Sequence, residues 1–105
     1  MKYIVLEVRD NDLSGSEPSI RELPFIFPNN CVHKDIADCM TQMLIEDRPK
    51  GCSRVVRVVS AGEISSMTLG GRGACHGNST TLKVESRGDV DSALIQTYDY
   101  LHGIK

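Results

Sequence analysis

The chain has 105 residues, 40% of them apolar and 25% charged, with twelve Lys and Arg against fourteen Asp and Glu for a formal net charge of −2. That length suits one domain, and a slightly acidic chain with no basic stripe cannot hold duplex nucleic acid by counterion release, which excludes that class of partner. No stretch approaches the roughly 18 uncharged apolar residues of a membrane span, and Glu7, Arg9 and Asp10 cut the opening apolar run too early for a signal peptide.

The expectation is therefore a cytoplasmic protein without a membrane partner, in which Cys31, Cys39, Cys52 and Cys75 are free thiols. With two Phe, three Tyr and no Trp, aliphatic side chains must furnish the core.

Lys2 to Val8, rich in Tyr, Ile, Val and Leu, predicts a first strand. Arg9 to Pro18 collects Asp, Asn, Ser and Gly and reads as a loop. Ser19 to Phe27 is a second extended run, and Pro24, which has no N–H to donate, assigns it to a sheet edge or a bulge. Pro28-Asn29-Asn30 announces a helix over Cys31 to Glu46, with either Asn as its cap. Val32, Ile36, Met40 and Leu44 form its apolar stripe, flanked by Ala37 and Met43. Pro49 and Gly51 stop it.

Ser53 to Ser60 carries Val55, Val56, Val58 and Val59 and predicts a strand that continues to Ile64, with Gly62 as a bulge. Leu69 to Gly73 is a turn, and Ala74 to Val84 reads as one or two short strands broken at Gly77-Asn78. Ser86-Arg87-Gly88-Asp89 has capping-box spacing, with Asp for the preferred Glu. Val90, Ala93, Leu94, Tyr98 and Leu101 trace the second helix, and Gly103 ends it. The expected fold is α+β: a small, mostly antiparallel sheet of four to five strands with two helices packed on one face. An open edge strand invites pairing with another copy, so a homodimer is expected.

Cys31-x-His33 and Cys75-His76 could offer four zinc ligands, but no C-x-x-C is present, and Cys75 and His76 would point to opposite faces of a strand. No metal site is expected. A nucleophilic Cys31 would gain from a helix N-terminus, yet His33 stands too close along a helix to face it. Arg87-Gly88-Asp89 spells an adhesion tripeptide and is read as a helix cap. With neither a Walker pattern nor G-x-G-x-x-G, no cofactor is expected.

The richest stretch is Gly70 to Asp89. A helix N-terminus with free amides and a flanking Arg favours an anion, and nearby hydroxyls and an amide can orient one. The candidate ligand-binding residues are Asn78, Ser79, Thr81, Ser86 and Arg87, with His33 as an outlying contributor. Turns and caps explain the same residues without a ligand.

Several short features resemble a family of small phage- and prophage-encoded proteins with no established activity. They are Pro24-Phe25-Ile26-Phe27-Pro28, Val32-His33, Val59-Ser60-Ala61-Gly62, and Cys75-x-Gly77-x-Ser79 followed by Leu82, Ser86-Arg87, Asp91 and Leu94-Ile95. The chain departs from that family at Glu63, where an apolar residue usually follows Ser-Ala-Gly.

The resemblance implies a phage accessory protein acting in the host cytoplasm, of the kind that inhibits host defence by binding a protein or sequestering a signalling nucleotide. The reading of the sequence is a non-enzymatic, homodimeric binding module for a host protein or a phosphate-bearing small molecule. A small Cys- or His-dependent enzyme and a structural virion or assembly component are the alternatives.

Overall fold

The computed structural model describes residues 1–15, 17–65 and 74–102, the last segment with side chains from 75 to 97. In chain order the elements are β1 (Lys2–Asp12), β2 (Ser19–Phe27), α1 (His33–Glu46), β3 (Cys52–Ser65), β4 (Ala74–His76), β5 (Asn78–Ser79), β6 (Val84–Glu85) and α2 (Asp89–His102). A four-stranded antiparallel sheet runs β2-β1-β3-β4, and β5 and β6 form a separate two-stranded hairpin. This is the α+β class that the sequence implied. Among the described residues no helix is long and apolar enough to cross a membrane.

The central strand decides where the helices sit. Tyr3, Ile4, Val5 and Leu6 are all fully buried, and successive strand residues point to opposite faces, so both faces of β1 must be covered. Tyr3 and Val5 join Ile64, Cys75 and Ile95 of the α2 side. Ile4 and Leu6 join Phe27, Ala61 and Ala37 of α1, with Leu82 and Val84 of the β5–β6 hairpin beside them. The two helices therefore lie on opposite faces, which corrects the expectation of one. The unbroken apolar run of β1 requires it: helices on one face would leave Tyr3 and Val5 in water.

Strand β1 also runs on through Asp12, into the stretch that composition reads as loop. Cross-strand pairing overrides turn propensity there. Arg54 donates to Asp10 at 2.6 and 2.9 Å, and Arg57 to Glu7 at 2.8 and 3.2 Å. The chain then turns where Gly15 N–H meets Asp12 O and Ser14 N–H meets Asp12 Oδ1. Helix α1 begins at His33, not Cys31. Its N-cap is Val32 without a side-chain cap bond, because Pro28-Asn29-Asn30 closes its own turn through Cys31 N–H to Pro28 O.

The irregularity in β3 falls at Val59, skipped between the pairs Leu6–Val58 and Val5–Ser60. Gly62, expected as a bulge, is paired with Tyr3 and serves a different need. A Cβ there would run into the backbone carbonyl of His76 and come within 3.1 Å of Ser86 Cβ. Gly62→Ala should therefore push the β4–β5 connection off the sheet and cost about 1–3 kcal/mol. Chemical denaturation checks this, and an unchanged midpoint would show that the approach relaxes freely.

On α2 the buried residues are Asp91 and Ile95, Leu94 is half-buried, and Val90 and Ala93 are exposed. The inward face is thus rotated by one residue from the expected Val90–Ala93–Leu94 stripe. The side chains of Tyr98 and Leu101, the turn at Leu69 to Gly73 and Gly103 lie outside the described residues. Strand β2 is a sheet edge, as Pro24 implied. Among the described residues, strand β3 pairs outward with β4 over Glu63–Ser65.

Candidate functional site

The crossing from β6 into α2 brings Ser86 and Arg87 against Tyr3, Ser60 and Glu22, with Asp91 at the centre. Asp91 has no solvent exposure. Its Oδ1 accepts from Ser60 Oγ at 2.9 Å and from Arg87 Nε at 2.8 Å. Its Oδ2 accepts from the Tyr3 hydroxyl at 2.6 Å and from Arg87 N–H at 2.9 Å.

Ser86 Oγ stands 2.6 Å from the Tyr3 oxygen. The single phenolic proton is committed to Asp91, so Ser86 supplies the proton of that bond. Outward, Arg87 forms a two-pronged pair with Glu22, both contacts at 3.0 Å. The chain from core to surface is carboxylate, guanidinium, carboxylate. Glu22 and Asp91 on either side hold the Arg87 pKa above its usual value.

This arrangement leaves the start of α2 little with which to bind an external anion. Arg87 N–H is taken by Asp91 and Gly88 N–H by Ser86 Oγ, while Val90 N–H goes to Arg87 O and Ser92 N–H to Gly88 O. The capping geometry also differs from the expected box: Asp91, not Asp89, reaches back. An incoming phosphate would have to displace Asp91 or Glu22 from Arg87.

Of the six residues singled out in the sequence, Ser86 and Arg87 meet in this cluster, Ser79 and Thr81 meet each other in the β5–β6 turn, and the four do not form one site. Ser79, buried, pairs with Thr81 Oγ1 at 3.2 Å and accepts from Leu82 N–H, closing the β5–β6 turn. Asn78 is exposed opposite Glu85. His33, at the head of α1, donates from Nε2 to Gly62 O at 2.9 Å and stands edge-on to Phe27. The carbonyl can only accept, so that nitrogen carries the proton.

Cys31 and His33 do not converge, since the Cys31 thiol turns to Asn30 at 3.9 Å. Among the described residues no group of three or more His, Cys, Asp or Glu could hold a metal ion. All four cysteines are free thiols, and burial pushes the Cys75 thiol up.

Tyr3, Ser60, Glu22 and Asp91 are the residues that sequence reasoning missed. The signals for them are faint: a serine closing a valine-rich strand, and an acid four residues after Arg87, on the same helix face.

Burial first, and the Asp91 carboxylate second, raise the Tyr3 pKa far above that of free tyrosine. A group with a raised folded pKa contributes its full stabilisation below the unfolded value of about 10 and loses it as the pH rises. Tyr3 should therefore ionise only as the protein unfolds in alkali. Near-ultraviolet absorbance and circular dichroism, compared between wild type and Tyr3→Phe, follow both events. Tyrosinate at Tyr3 in folded protein would refute the buried bond.

A second feature lies on the other face. Helix α1 runs over β1 and β3, so the inner side of edge strand β2 projects beyond it. Between them opens a cleft of about 430 Å³ lined by Phe25, Met40, Met43, Leu44, Glu46 and Asp47. Met40 and Leu44, and likewise Met43 and Asp47, are four residues apart and share a helix face. Met43 is 56% exposed. The cleft has an apolar floor and two carboxylates at one end.

Comparison of the chain with protein-family models, with curated proteins and with solved structures finds no match to any of them.

Proposed function

We propose that this chain is a non-enzymatic binding module whose ligand is a protein rather than a phosphate-bearing small molecule. The observation that carries this reading is the cleft of Phe25, Met40, Met43 and Leu44, in which two unbranched, adaptable methionines line an open surface, Met43 exposed and Met40 half-buried. Exposed methionines suit a surface that must mould itself to another chain. The polar cluster at α2 supports the same reading, because its donors and acceptors are spent on one another, and its phenol is held protonated and unable to act as a base. The resemblance drawn from the sequence implies a phage accessory protein, for which the partner would be a host protein.

A photo-crosslinking side chain at position 43, used in the native host, tests this. One dominant protein adduct should form there and be absent when the group stands at exposed position 90. Equal labelling from both positions would refute the cleft. Heat from a nucleotide titration that Arg87→Ala removes would restore the anion reading.

Self-association belongs to the same proposal. Among the described residues, the outer side of β3 over Ser53–Ser60 has no partner strand, and it carries Val55, Val56, Val58 and Val59, which favour extended pairing. Light scattering at micromolar concentration should report twice the chain mass of 11.6 kDa. The monomer mass would exclude the dimer.

A further inference from the structure

We infer that the cleft between β2 and α1 takes a basic amphipathic segment of its protein partner, an inference that rests on the reading of the cleft as the binding surface. Its lining holds four apolar residues and two carboxylates, Glu46 and Asp47, and no cation. The cations nearest along the chain and sheet have their donors engaged, although the charge of Arg54 is felt at Asp47. Arg48 donates to Ile45 O at 3.0 Å, and Arg54 is committed to Asp10 and to Leu44 O. Among the described residues, Glu46 accepts from the Gln42 amide at 3.2 Å and makes no ion pair. An occupant that covers Met43 and Leu44 must bring its polar edge against these carboxylates, where Lys or Arg is attracted and Asp or Glu repelled.

The geometry also favours a side-chain stripe over a compact small molecule. The cleft is open to solvent along the helix, so a small ligand would leave much of its surface in water, whereas binding sites for such ligands usually bury most of it. A segment with apolar residues at helical spacing can lie along Met40, Met43 and Leu44 and place its basic residues at the Glu46–Asp47 end. This is helix-in-groove recognition.

The test uses full-length protein and two fluorescein-labelled amphipathic peptides of equal length. They share one leucine face and carry either lysines or glutamates on the other. Fluorescence anisotropy should show the lysine-faced peptide binding and the glutamate-faced one binding about tenfold more weakly, with a difference that shrinks as salt is raised. Met43→Lys should abolish binding of the lysine-faced peptide, while Val90→Lys, on the opposite face, should leave it unchanged. Glu46→Lys with Asp47→Lys should reverse the preference.

Equal binding of both peptides, still lost in Met43→Lys, would keep the cleft as the binding surface and overturn the basic partner. Failure of the lysine-faced peptide to bind would overturn the inference, and the crosslink at position 43 would then decide the cleft separately. If Met43→Lys turned a dimer into a monomer, the occupant would be a second copy of this chain, and the inference would fall.

Discussion

Replacing Asp91 with alanine is expected to cost about 3–5 kcal/mol, the usual penalty for breaking a buried ion pair by removing one partner. Four hydrogen bonds converge on this carboxylate, from Tyr3, Ser60, the Arg87 backbone and the Arg87 guanidinium. Three elements distant in sequence are joined by it: β1, β3 and the start of α2. Without it, the Tyr3 hydroxyl has no carboxylate to receive its proton, and the inner side of the guanidinium faces a void where water has no ready access. The acceptors left within reach are the neutral hydroxyls of Ser86, 2.6 Å from the Tyr3 oxygen, and Ser60, 3.2 Å from Arg87 Nε, and neither replaces the buried negative charge opposite the guanidinium. Urea denaturation of wild type and variant measures the loss. A midpoint change equivalent to less than about 1 kcal/mol would mean that the cluster repacks and that Asp91 is not its hub. Arg87→Ala should cost a comparable amount, because it leaves the Asp91 carboxylate, which has no solvent exposure, without its cation, while water can solvate the partly exposed Glu22.

Ile95→Ala should cost about 2–5 kcal/mol, while Val90→Ala, on the same helix, should change stability by less than about 0.5 kcal/mol. Ile95 is 4% exposed and packs with Tyr3, Val5, Ile64 and Cys75. Truncating it leaves a cavity among side chains that are held on the sheet and cannot close in. Val90 is 56% exposed and loses little by truncation. The pair separates two helix registers, since a face centred on Val90 reverses the order of the two costs. Thermal or urea unfolding of both variants decides between them, and equal costs would require α2 to be redrawn.

The register of α2 shows how far the sequence can be read and where it stops. A helix after Ser86 was legible, because apolar residues recur at helical spacing through Leu94 and the chain before it is rich in turn formers. Its orientation was not. The pattern alone treats Asp91 as an outward residue, and only Arg87, Ser60 and Tyr3 together make it worth burying, each contributed by a different part of the chain. The candidate anion site failed to assemble for the same reason. Ser86 and Arg87 have the residue types that bind phosphate, but Tyr3 and Gly88 N–H take the Ser86 hydroxyl, Glu22 and Asp91 take the Arg87 guanidinium, and Glu22 is 65 residues away from Arg87.

By itself the sequence determined the α+β class, the span of β2, the placement of Pro24 at an edge or a bulge rather than mid-sheet, and the existence and ends of α1 to within two residues. These depend on local propensity and on period, which neighbouring residues carry among themselves. The tertiary structure alone decided that the helices flank the sheet, that β1 extends through Asp12, that Gly62 is needed for a close approach and that Asp91 is the centre of a buried cluster. It also created the cleft of Phe25, Met40 and Met43, whose walls come from a strand and a helix. Those features arise where two distant segments compete to satisfy one surface or one charge, and their energies exist only once both are in place.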